Sequence, residues 1–175
     1  TFPQSGPCDA NPLDVLQSAR DEGPDARRLF HDHFRQLHTD LQDPDSPFDK
    51  LPISAENLCN PRFEPSFEPL SKLFEIHILY YIRRQDEWVA SAWKQWGVKG
   101  GVTLLQFCQR DLTGPVPYPS YLSVVDRWEP LSESVHVRPL HPSVLHKGDI
   151  VSDFAHAIGV DKSGCQDVHV ANKTM

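Results

Sequence analysis

Residues 75–82 read Glu-Ile-His-Ile-Leu-Tyr-Tyr-Ile, a nearly continuous apolar run rich in β-branched and aromatic side chains. Such a run suits a central strand of a parallel sheet, buried on both faces. His77 is then expected to be a hydrogen-bonded core residue. Arg83-Arg84-Gln85-Asp86 follows at once. Residues 86–96 come next, with Trp88, Val89, Ala92 and Trp96 forming the inward face of a helix. Strand, turn and helix in this order point to an open α/β sheet.

The rest of the chain alternates in the same way. In residues 25–41, Leu29, Phe30, Phe34, Leu37 and Leu41 make one apolar stripe, and Pro24 sits at the start, where a missing N–H is harmless. A shorter helix is expected after Pro12, and the Asp-Pro-Asp-Ser-Pro stretch at 43–47 ends the longer one. A short strand is predicted at 50–54, leading into Ser54-Ala55-Glu56-Asn57, and a short helix at 67–74. Gly97-Val-Lys-Gly-Gly101 breaks the helix after the arginines. It lacks the Gly-Lys-Ser/Thr ending of a nucleotide-binding loop. Helices follow at 103–111 and 118–128, the latter with Tyr121, Leu122, Val125 and Trp128 on one side. A strand at 134–139 and a helix at 149–158, closed by Gly159, complete the pattern. The expectation is an α/β domain over residues 1–162, three-layered, with a largely parallel sheet flanked by helices. Residues 163–175 form a peripheral tail.

A chain of 175 residues is one domain with room for a sizeable core. Its sixteen prolines cluster in the first 70 residues and between Pro115 and Pro142, so loops and short elements are expected there. A net charge of −7 argues against generic binding to nucleic acid or anionic membranes, though not against a small anion held by local positive charge. No run approaches a membrane helix and no secretory signal pattern is present, so a cytoplasmic protein is expected. Cys8, Cys59, Cys108 and Cys165 show no CxxC pair and are expected as free thiols, although their even number permits two disulfides. His31, His33 and His38 lie on one helix with no completing ligand nearby, so no metal is expected. His136 and His141 fit either plain surface or an acceptor site.

The turn after residue 82 is where chemistry is expected. Ligands of open parallel sheets bind beyond the carboxyl ends of strands, where helix N-termini favour anions. Arg83 and Arg84 would add charge-assisted contacts to phosphate, and Ser91 a hydroxyl from the following helix. Equally, the two arginines would serve as ordinary surface charge against Asp86, Glu87 or Asp126. The Ser54-Ala55-Glu56-Asn57 turn reads, from its residue types, as the cap of a short helix.

The segment Tyr81-Ile82-Arg83-Arg84-Gln85-Asp86, with Ser91, Trp93 and Gln95 beyond it, resembles the Y-[LI]-R-R-Q-D-x-x-x-x-S-x-[YW]-x-Q segment of bacterial sulfotransferase-like proteins. Tyr121 to Trp128, followed by Val135-His-Val-Arg138-Pro139, is similar to a second stretch of that family. Lys147-Gly148-Asp149-Ile150-Val151-Ser152-Asp153-Phe154, continuing to Ile158-Gly159, is similar to a third. The likeness spans roughly residues 50–160.

The resemblance implies the P-loop-like sulfotransferase fold and transfer of a sulfuryl group from 3′-phosphoadenosine 5′-phosphosulfate (PAPS). The acceptor would be a small-molecule or saccharide hydroxyl or amine. It implies that Arg83 and Ser91, eight positions apart, hold the 3′-phosphate, with Arg84 assisting and Glu56 as the base. It also implies an opening strand, a phosphosulfate-binding loop and a helix. Thr1-Phe-Pro-Gln-Ser-Gly-Pro7 echoes that loop faintly, with Gln4 in place of its lysine, so this unit is expected to be missing from the chain. Two rivals stand beside the enzyme. One is a non-catalytic nucleotide-binding or interaction module that keeps the fold. The other is a fragment that folds against a partner supplying the missing strand.

Overall fold

A computed structural model describes residues 24–46, 48–61, 63–113 and 120–160, apart from the side chains at 26, 56, 57, 111 and 112. The expected helix after Pro12, the 163–175 tail, Cys8 and Cys165 lie outside these residues.

The described chain is mixed α/β. Helix α1 (Pro24–Leu41) leads through two short turns, Glu64–Phe67 and Leu70–Lys72, to strand β1 (His77–Ile82). Helices α2 (Gln85–Ala92), α3 (Leu104–Leu112) and α4 (Tyr121–Trp128) follow, then strand β2 (Ser134–Pro139) and helix α5 (Ile150–Ala157). The strands pair in parallel, from His77 opposite Ser134 to Ile82 opposite Pro139. A parallel pair needs a crossover, and here α2, α3 and α4 supply it.

The core is aromatic. Phe30 and Phe34 of α1 meet Phe63, Phe67 and Leu70, and α4 contributes Val124 and Trp128. Ile76, Ile78 and Tyr80 pack against this cluster, so the sheet sits on it. Each fully buried large side chain contributes about 1.5–3 kcal/mol, making this cluster the main source of stability.

Several expectations change. Leu29 is 64% exposed, because α1 buries the narrower stripe Phe30–Phe34–Leu37 and leaves Leu29 on its shoulder. On α4, Val124 is buried and Leu122 is 69% exposed. Tyr121, Val124, Val125 and Trp128 recur at three- and four-residue steps, and Leu122 falls off that face. Residues 50–54 are irregular rather than a strand. Pro52 has no N–H for a ladder, while Ile53 packs on the core and the Lys50 ammonium donates to the Ile158 carbonyl at 2.8 Å. The helix expected at 67–74 starts earlier and is broken in two, with Pro65 in its first turn and Pro69 before its second.

β1 is half-buried rather than buried on both faces, and β2 is its one strand neighbour among the described residues. His77 at its start is exposed, with Nδ1 2.9 Å from the Ser134 hydroxyl, and is not a core residue. The helix expected to run to residue 96 stops at Ala92 and widens into a π-helical turn, Trp93–Gly97, leaving Trp96 46% exposed. Gly97 permits this turn. A Cβ there would strike the Trp93 ring and lie 3.3 Å from Phe107, while the Trp93 indole N–H donates to the Val102 carbonyl at 2.8 Å. Thr103 and Gln106 cap α3 reciprocally. Gly159 ends α5 with φ +71°, as its position suggested.

Candidate functional site

The two strands end together. The Leu140 N–H donates to the Ile82 carbonyl at 2.7 Å, the last bond of the ladder, and the first bond of α2 runs from the Trp88 N–H to the Arg84 carbonyl at 2.8 Å. Between them lies Arg83, whose carbonyl accepts the Tyr121 hydroxyl at 2.6 Å. Burial pushes the Tyr121 phenol pKa up, with the nearby Arg83 charge pulling the other way, so at neutral pH the hydroxyl is a donor.

The two arginines differ. Arg84 is the N-cap of α2 and folds onto Asp86, at 2.6 Å and 3.2 Å, with Glu87 at 3.9 Å. Burial opposes ionisation of Asp86, yet Arg84 holds its carboxyl below the usual range. For Arg84 the surface-charge reading is therefore met. Arg83 is exposed, and among the described residues no acidic group pairs with its guanidinium. Asp86 and Glu87 also occupy the first turn of α2, where their charges compete with any incoming anion for the helix dipole. Ser91 is half-buried in the last turn of α2, about 9 Å of helix axis beyond Gln85, and no hydrogen bond joins it to either arginine among the described residues. A groove of about 330 Å³ opens beside the turn, lined by Gln85, Asp86, Val89, Ala90, Leu104 and Cys108. His141 begins the turn after β2, and its Nδ1 accepts the Ser143 N–H at 3.3 Å.

Glu56 opens a single 3-10 turn, Glu56–Cys59, and its side chain lies outside the described residues. α4 fixes the far end of that turn. The Trp128 indole N–H donates to the Leu58 carbonyl at 3.2 Å, and Arg127 donates to the Cys59 carbonyl at 2.8 Å and to Glu64 at 2.5 Å. Thus α4 grips the Arg83 turn with its first residue and the Glu56 turn with its last two. The seven-residue step between them spans about 10 Å of helix axis.

A second polar cluster gathers around Asp153. Asp153, fully buried on α5, accepts the Tyr81 hydroxyl, two Arg138 N–H groups and the His146 backbone N–H, all at 2.7 Å. Arg138 holds the Asp153 carboxyl well below the usual range, against the effect of burial. Tyr81 and Arg138 are register partners across the ladder, so this one carboxylate binds both strands to α5. Tyr81, Tyr121, Arg127, Arg138 and Asp153 all fall within the three segments that carry the family resemblance. That co-occurrence was the available signal.

Neither Cys59 nor Cys108 is in a disulfide, in line with the expectation for those two. Among the described residues no group of three or more His, Cys, Asp or Glu is placed to hold a metal ion, and no helix is long and apolar enough to cross a membrane. The chain matches no protein-family model, no curated protein and no solved structure.

Proposed function

We propose that the chain is a sulfotransferase-like protein of the three-layer P-loop-like architecture, and that the β1–α2 turn receives the 3′-phosphate of PAPS. The observation that carries this reading is the exposed Arg83 guanidinium, with no acidic partner among the described residues, at the carboxyl end of a parallel strand on a turn anchored by Tyr121. Crevices at such strand ends take anionic ligands, and a guanidinium suits phosphate. In this reading Glu56 takes the proton of an acceptor hydroxyl or amine as its oxygen or nitrogen bonds to sulfur. The bridging S–O bond breaks, and adenosine 3′,5′-bisphosphate leaves. The acceptor, a small molecule or a saccharide, approaches from the variable loops around the sheet edge.

Arg84 belongs to the turn rather than to the ligand, since Asp86 and Glu87 engage it. Calorimetry with adenosine 3′,5′-bisphosphate tests the nucleotide site: Arg83→Ala should weaken binding at least about tenfold, as expected when a charge-assisted contact is lost. Equal affinity in the two proteins, or none in either, sinks the assignment. A sulfate-transfer assay on this chain separates the enzyme from the non-catalytic module, which would bind the nucleotide without turnover.

A further inference from the structure

We infer that Tyr121 is a positioning residue for the 3′-phosphate contact, acting through the Arg83 backbone and not by touching the ligand; this rests on the nucleotide reading of the turn. The argument is an accounting of backbone acceptors. The Ile82 carbonyl is used by the ladder and the Arg84 carbonyl by α2, so Arg83 carries the one carbonyl between them that neither element engages. Tyr121 takes it at 2.6 Å. The N-cap of α2 has no side-chain cap bond, so no other hydrogen bond of that kind steadies the helix entry. The Tyr121 ring is half-buried and set edge-on to Tyr80, with centroids 6.1 Å apart, which fixes the direction of its hydroxyl.

A guanidinium on a long, exposed side chain is only as well aimed as the backbone beneath it, and small misplacements of a binding group cost affinity steeply. Having given its proton to the carbonyl, the phenol oxygen has no donor left for an anion. Its contribution to binding therefore passes through Arg83.

The test compares adenosine 3′,5′-bisphosphate with adenosine 5′-monophosphate by calorimetry on the full chain, in wild type, Tyr121→Phe and Tyr81→Phe. Wild type should prefer the bisphosphate. Tyr121→Phe should lose about tenfold in affinity for the bisphosphate, the scale of one hydrogen bond, and stay within about twofold for the monophosphate. Tyr81→Phe, which also removes one phenol oxygen but from the Asp153 cluster, should leave the ratio between the two ligands unchanged. A wild type with no preference overturns the nucleotide reading itself. A wild type with the preference and a Tyr121→Phe ratio equal to it overturns the positioning role alone. A Tyr121→Phe chain that fails to fold by far-UV circular dichroism overturns it too, since the hydroxyl would then serve the fold.

Discussion

Arg138 on β2 gives two N–H donors, each at 2.7 Å, to the carboxylate of Asp153 on α5. The pair is asymmetric: Asp153 is fully buried, while the Arg138 side chain keeps 34% of its exposure. With Tyr81 and the His146 N–H also donating, the buried carboxylate is fully satisfied. The arrangement is therefore a structural joint that ties both strands to α5.

Removing the carboxylate should expose that role. Asp153→Ala strands a guanidinium, a phenol and a backbone N–H, and the expected loss is about 3–5 kcal/mol in urea unfolding, the range for breaking a buried ion pair. A loss below about 1 kcal/mol would mean that α5 is held by its apolar face alone.

The same cluster sets the pH limits of stability. Asp153 is depressed, so its contribution is complete above the unfolded value near 4 and is lost as pH falls below that. The Tyr81 phenol is pushed up to about 12, by burial first and then by its bond to Asp153. Its contribution is complete below the unfolded value near 10 and is lost between about 10 and 12. Melting temperature should therefore fall at both extremes. Asp153→Asn should flatten the acid limb and Tyr81→Phe the alkaline one.

Glu64 and Arg127 join the turn before β1 to α4, with side chains 10% and 27% exposed. Their geometry predicts real coupling, unlike the exposed Arg35–Asp32 and Arg28–Asp25 pairs of α1. A double-mutant cycle on Glu64→Gln and Arg127→Met should return about 1–3 kcal/mol, against under about 0.5 kcal/mol for Asp32 with Arg35.

Asp86 should oppose ligand binding. It neutralises Arg84 and places negative charge in the first turn of α2, beside the proposed anion site. Asp86→Asn is therefore expected to tighten adenosine 3′,5′-bisphosphate about threefold to tenfold at low salt, and Arg84→Ala, which leaves the Asp86 carboxylate uncompensated, to weaken it by a similar factor. Weaker binding by Asp86→Asn would mean that the Arg84–Asp86 pair is needed to shape the turn.

Much of the local structure was legible from residue order. The strand at 134–139, the capped helix after Thr103, the Gly159 stop and the strand–turn–helix unit around Arg83 all follow from period, propensity and capping chemistry within a few residues. Asp149, which accepts the Ser152 N–H at 2.9 Å to cap α5, is another such local effect. Less legible was which side of an element faces inward. Leu29 and Phe30 are adjacent and both apolar, and only the docking of α1 against Phe63, Phe67 and Leu70 made Phe30 the buried one.

The candidate site divides in the same way. Sequence alone determined that a strand would deliver two arginines to the start of a helix, because that requires only neighbouring residues. It did not determine that Arg84 would be consumed by Asp86 while Arg83 stayed exposed, since both lie beside carboxylates in the chain. Nor did it reveal that Tyr121, 38 positions away, would take the Arg83 carbonyl, or that Asp153 would gather Tyr81 and Arg138. Those pairings depend on the parallel register and on where α4 and α5 dock. Docking is fixed by the burial of a shared core, which no single segment encodes.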